Sequence, residues 1–178
     1  ESANGKDEQS SSEDYNFSYG MKLWGKVIGD KAMEARGDLM LKIQSRSINS
    51  YILLSDDNKV EPADYIPNKV AGIYSDNEIE YNTYFGLNVS YIHGIHMLPI
   101  TPASSSVRSA KFVEEEWTQI LLKANTGSSG WNGIMALNQA IYDGKTSYDF
   151  FASKNFKRTN LDRGQSRTWA LAFAGGVS

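Results

Sequence analysis

A mainly α fold, with helical hairpins arranged as in an α/α toroid and one small β-hairpin, is what this sequence predicts. Three observations lead there. Apolar residues recur at helical spacing through several segments. Start and stop signals bracket those segments, and short connections join them into antiparallel pairs. Only one stretch sets β-branched and aromatic runs on either side of turn formers.

The elements follow in order. Residues 1–9 are polar and read as extended. Ser10 with Glu13 fits a capping box, in which a Ser N-cap is answered by Glu three positions on. The helix it opens runs to about Ile28, with Tyr15, Tyr19, Leu23 and Val27 on one stripe, Trp24 and Ile28 beside it, and Gly29-Asp30 as its stop. A second helix is predicted from Lys31 to Leu54, with Met33, Leu39, Met40, Ile43 and Ile52 as buried positions. Residues 55–69 read as loop, including a turn at Asp56-Asp57-Asn58 that lacks the remaining ligands of a calcium loop. The runs 70–74 and 79–84 flank Ser75-Asp76-Asn77 and give the β-hairpin. Further helices are predicted over Tyr91 to Met97, Lys111 to Ala124, Trp131 to Tyr142, Ser147 to Ala152 and Ser166 to Ala174. Pro99 and Pro102 stop the first of these, and a Ser-rich loop spans Ala103 to Ser109.

Composition narrows the function. The 178 residues suffice for one core and a small appendage. A net charge of −3 argues against a nucleic-acid footprint, which needs clustered Lys and Arg, and is indifferent to a neutral polymer. Ten Tyr and four Trp permit flat aromatic platforms for sugars, although core packing is the commoner use of any one ring. The absence of cysteine excludes disulfides, thiol catalysis and Cys-ligated zinc. No apolar run approaches the roughly 18 residues of a membrane span. The chain does not open on Met, so either a leader has been removed or it is a piece of a longer polypeptide. Asn-X-Ser sequons stand at Asn16, inside a predicted helix, and at Asn88.

The opening segment, residues 6–16 and on through Tyr19-Gly20-Met21-Lys22-Leu23-Trp24-Gly25, resembles the start of the catalytic helix of glycoside hydrolase family 81, the endo-β-1,3-glucanases. The resemblance extends through Ile66 to Val70, Tyr84-Phe85-Gly86, Tyr91 to Pro102, Phe112 to Trp117, Trp131 to Ile134, Leu137 to Ala140 and Asp162 to Phe173. Each motif alone is weak; their order and spacing are specific. The resemblance implies the last part of an (α/α)6 catalytic barrel, with a β-sandwich domain and the first barrel hairpins upstream. It also implies endo-hydrolysis of β-1,3-glucan with inversion, and a general acid, an aspartate, that lies before the matched region. The implied partners are β-1,3-glucan and the upstream remainder of the catalytic domain. Nucleic acid, membrane, metal and cofactor are not expected. A secreted or cell-wall location is, with the cytoplasm as the alternative.

Family members carry two glutamates four residues apart on this helix. Here the second is Glu13, and an amide, Gln9, holds the place of the first. Positions four apart share a helical face. Inverting hydrolysis needs an acid and a base with their carboxyls roughly 6.5–9.5 Å apart, so that a water fits between. An amide orients a water but does not take its proton. Three explanations stand for Gln9: an inactivating substitution, a takeover by Glu8 with a local backbone shift, or Glu13 as the working base. Without the resemblance, Glu13 reads as a helix-capping glutamate.

Candidate substrate contacts are Tyr15, Tyr19 and Trp131, with His93, His96 and Glu116 as further candidates. His93 and His96 lie three apart on one helical face, but no carboxylate spacing completes a zinc signature. They read as structural histidines, with a contact to a sugar hydroxyl as the functional alternative. Glu114-Glu115-Glu116, near Trp117, reads first as negative charge favouring a helix N-terminus and second as the lining of a subsite. The alternative function is a glucan-binding protein on the same scaffold, with Gln9 marking lost hydrolysis. A helical interaction module has only helical patterning behind it. Part of a toroid leaves apolar hairpin faces without neighbours, so the segment alone is expected to aggregate or to need the preceding chain.

Overall fold

A computed structural model describes residues 10–72, 83, 85–124 and 129–177. Eight α-helices lie among them: α1 (Ser11–Ile28), α2 (Lys31–Tyr51), α3 (Val89–Ile95), α4 (Ser104–Val107), α5 (Ala110–Gln119), α6 (Gly130–Gln139), α7 (Gly144–Ala152) and α8 (Arg167–Val177). Single 3-10 turns occur at Ile66–Asn68, Leu121–Lys123 and Arg158–Asn160. Isolated β-bridges join Leu53 to Val70 and Thr83 to Gly86. The β-hairpin expected over 70–84 lies largely outside the described residues, as do Glu8 and Gln9.

α1 begins as its sequence dictates. Ser10 is the N-cap, and its hydroxyl accepts the Glu13 amide at 3.4 Å. Gly29, at φ 77°, closes the helix in the left-handed region that glycine tolerates. Asp30 caps α2 one residue later, its carboxylate accepting the Met33 amide at 2.9 Å. With so short a turn the two helices must run antiparallel, and two glycines set how closely they approach. A Cβ added to Gly25 would lie 2.4 Å from the Glu34 nitrogen, and one added to Gly37 would lie 2.4 Å from the Lys22 nitrogen.

That glycine contact corrects the expectation for α2. Leu39 and Ile43 are exposed, whereas Gly37, Leu41 and Ile48 are buried. α2 turns its small-residue face to α1, so the larger apolar residues on its other side lie outward. α2 also ends at Tyr51 rather than Leu54, because Leu53 leaves the helix to bridge Val70. On α1 the predicted stripe splits. Tyr15 is fully buried and Tyr19 half-buried, while Leu23, Trp24, Val27 and Ile28 are exposed. The Ser-rich segment expected as loop contains the single turn α4, within which Ser104 and Val107 are buried.

Two apolar clusters hold the molecule. Tyr15, Leu41, Ile48, Ile92, Val107 and Phe112 knit α1 and α2 to α3, α4 and α5. Met97, Leu121, Ile134, Leu137, Phe151 and Phe173 pack α6, α7 and α8 against the segment after α3. No helix among the described residues is long and apolar enough to cross a membrane.

Candidate active site

The first turn of α1 is tied to the end of α3 by three consecutive serines. Ser10 Oγ and Ser12 Oγ each donate to the Ile95 carbonyl at 2.9 Å, and Ser12 Oγ also reaches the Leu98 carbonyl. Between them the Ser11 amide and hydroxyl approach His96 Nδ1, at 3.3 and 3.0 Å. A main-chain N–H can only donate, so Nδ1 is the acceptor and the imidazole proton sits on Nε2. Nε2 accordingly donates to the Ala71 carbonyl at 3.2 Å. Burial drives the His96 imidazole down to about 3, and the Arg108 charge adds to that effect, so the ring is neutral at physiological pH.

A second layer lies behind this one. The Arg108 guanidinium, fully buried, donates to the His96 carbonyl at 3.0 Å, to Asn138 Oδ1 at 2.8 Å and to Glu116 Oε2. Glu116 Oε1 lies 2.9 Å from His93 Nδ1. Burial pushes the Glu116 carboxyl up, but Arg108 and His93 outweigh it and hold it below the usual carboxylate range. Each of these groups has an internal partner, which is how buried charge is tolerated.

Glu13 itself is exposed on α1, one turn before Asn16, which is bonded to the wall of a groove. Asn16 joins the helix to that wall: its Nδ2 donates to the Pro99 carbonyl at 2.9 Å, and its Oδ1 accepts from Thr101 Oγ1 at 2.6 Å. The groove, about 590 Å³, runs beneath Tyr19 and Leu23 and is walled by Pro99, Pro102 and Trp169, with Asp162 at its polar edge. Trp169 Nε1 donates to the Ile100 carbonyl at 3.0 Å. The cis peptide bond Leu98-Pro99 lies in the same wall.

The candidates from sequence are thus distributed. Tyr19 faces the groove, and Glu13 stands on the same helix but does not line it. Trp131 is half-buried in an aromatic group with Phe85 and Tyr91, at centroid separations of 5.2 and 5.1 Å, and its ring covers Gly94. Tyr15 donates to Ser104 Oγ at 3.2 Å, and burial raises its pKa. Tyr15, His93, His96 and Glu116 are buried and bonded inside the protein, behind the surface that carries Glu13. Sequence reasoning missed Asn16, Arg108, Asn138 and Trp169. Asn16 carried a signal, as a polar residue one turn after Glu13. Among the described residues, no three His, Cys, Asp or Glu side chains gather as they would around a metal.

The sequence profile of the glycosyl hydrolase family 81 C-terminal domain matches residues 1–171. The chain belongs to glycosyl hydrolase family 81. It is 46% identical to a glucan endo-1,3-β-D-glucosidase of Arthroderma benhamiae, 49% to the primary septum glucan endo-1,3-β-D-glucosidase of Schizosaccharomyces pombe, and 47% to glucan endo-1,3-β-D-glucosidase 2 of Saccharomyces cerevisiae. Each match takes in 99% of this chain but only 20%, 17% and 23% of the relative, so the chain spans about a fifth of their length. In this family 81 chain the matched region includes the serine anchor, the groove and the buried Arg108 layer.

Proposed function

We propose that this family 81 chain is the C-terminal portion of the (α/α)6 catalytic domain of an endo-β-1,3-glucanase. In this reading its α1 lines the cleft and its hairpins complete a toroid begun upstream. The enzyme is secreted or cell-wall associated and cleaves internal linkages of β-1,3-glucan with inversion. Glu13 supplies the base side, drawing a proton from the attacking water, while an upstream carboxylic acid protonates the leaving oxygen. Tyr19 and Trp131 are the aromatic surfaces offered to sugar rings.

One observation carries the reading. An exposed carboxylate stands on a helical turn anchored by buried bonds, on the helix whose Tyr19 and Leu23 line a groove that also holds Trp169. General bases need that combination of access and fixed position. Gln9 favours a second reading, a glucan-binding protein that has lost hydrolysis, because the family's glutamate is replaced by an amide.

The test uses the full-length protein as it stands and as Gln9→Glu, with soluble β-1,3-glucan as substrate. Release of oligosaccharides by the present form, abolished by Glu13→Gln, supports the enzyme. Binding without cleavage, converted to cleavage by Gln9→Glu, supports the binding protein. Absence of both binding and cleavage in either form rejects the two together. Proton NMR of the first product anomer decides inversion.

A further inference from the structure

Beside the Ile95 and Leu98 carbonyls that hold Ser10 and Ser12, one side chain from outside α1 bonds Glu13's helical turn through Ser11, and it is His96. Its Nδ1 is the acceptor for both the main-chain amide and the hydroxyl of Ser11, two residues before Glu13. His96 is itself held on both flanks. Nε2 is pinned to the Ala71 carbonyl, and the His96 carbonyl is pinned by Arg108. The ring is buried at 1% exposure and cannot reach a substrate. The first N–H groups of a helix have no partner within it. An acceptor placed at Ser11 therefore helps to set where that turn stands, together with the Ser10 and Ser12 bonds, and with it the direction in which the Glu13 side chain leaves the helix.

We propose that His96 is a positioning residue for the hydrolytic step, acting through Ser11 on the carboxylate of Glu13. The inference rests on the glucanase reading above. It goes beyond that reading by assigning the orientation of the base to a neutral imidazole on a different helical segment. The neutral ring is essential, because an imidazolium would carry N–H at Nδ1 and face the Ser11 N–H donor to donor.

Two substitutions separate this role from general support. Asparagine places an acceptor at about the position of Nδ1 and gives up the bond to Ala71. Glutamine reaches about the position of Nε2 and gives up the acceptor for Ser11. Each loses one side of a buried bond, so a merely structural role predicts equal harm from both. The experiment measures kcat and KM on soluble β-1,3-glucan for full-length His96→Asn, His96→Gln and Ser11→Ala. The parent is the more active of the present form and Gln9→Glu, and thermal melts run alongside. The expected result is a kcat at least about tenfold lower in His96→Gln with KM within about twofold, a His96→Asn within about threefold of parent, and Ser11→Ala between them. Melting temperatures of the two His96 variants should fall alike. Equal kcat in His96→Asn and His96→Gln, or a loss that tracks the melting temperature, overturns the proposal while leaving the glucanase reading intact. A parent inactive in both forms removes that reading and this inference with it. Should His96→Gln fail to fold, Ser11→Ala decides: unchanged kcat overturns the proposal.

Discussion

Residue by residue, the chemistry of this chain lies in partners that are far apart in sequence. Glu116 and Arg108 are fully buried and bonded to each other, with Asn138 and His93 closing the group. Removing one charge from such a set strands the other. Glu116→Gln should cost about 3–5 kcal/mol of unfolding free energy, read by denaturant titration of the full-length protein. Acid should act in the same direction. His96, near 6.5 when unfolded, falls to about 3 in the fold, so the unfolded state takes up the proton first. Its contribution is complete above about pH 6.5 and declines towards pH 3, by up to about 1.36 kcal/mol per pH unit. Glu116 is held below its ordinary range, so its contribution is present above the unfolded value and is also lost as pH falls. Stability should therefore drop steadily from pH 6.5 to pH 4, and His96→Asn should flatten the upper part of that slope. A melting temperature unchanged across that range would contradict the His96 shift.

For the elements, local signals are legible in the sequence and packing partners are not. The Ser10 cap and the Gly29 stop were legible because each acts within a few residues of itself. The apolar stripe of α1 was legible as a stripe, but not which half of it would be covered. Tyr15 is buried and Val27 is 78% exposed on the same face. The inversion of α2 was hidden for a related reason. Leu39 and Ile43 look like core, yet the contact goes through Gly37, whose value is its lack of a side chain. Gly37→Ala should therefore destabilise by about 1–3 kcal/mol, since its Cβ would meet main chain that cannot move aside. Gly20→Ala, with nothing within 4 Å, should be neutral or slightly stabilising. Parallel chemical denaturation of the two variants checks the contrast. Tyr19, singled out from sequence as a substrate contact, lines the groove. Arg108 with Glu116 and Asn138 was not recoverable from sequence, since no periodicity joins positions eight and thirty residues apart.

For the whole molecule, the decisive feature is an apolar surface left open on the first hairpin. Phe17, Trp24, Val27, Leu39 and Ile43 are each more than half exposed. Residues of that size usually pack against something, and a patch of them promotes association. Expressed alone, residues 1–178 should sediment as a mixture of oligomers. Replacing Trp24, Val27 and Ile43 with polar residues should shift the distribution towards monomer. Analytical ultracentrifugation of the two forms measures this, and a monodisperse parent would mean that the hairpin needs no neighbour. The family 81 relatives are four to six times as long as their matched segments, leaving ample chain to cover such a face.

The indole of Trp169 offers a practical return. It lies in the groove wall with its N–H bonded to the Ile100 carbonyl. An oligosaccharide settling there would exclude water from the ring, and the emission maximum would move to shorter wavelength. Loss of that blue shift in Trp169→Phe would identify the reporting tryptophan. On the proposed glucanase reading, that indole would be an optical probe built into the protein, timing sugar entry in a stopped-flow instrument before any bond is cut.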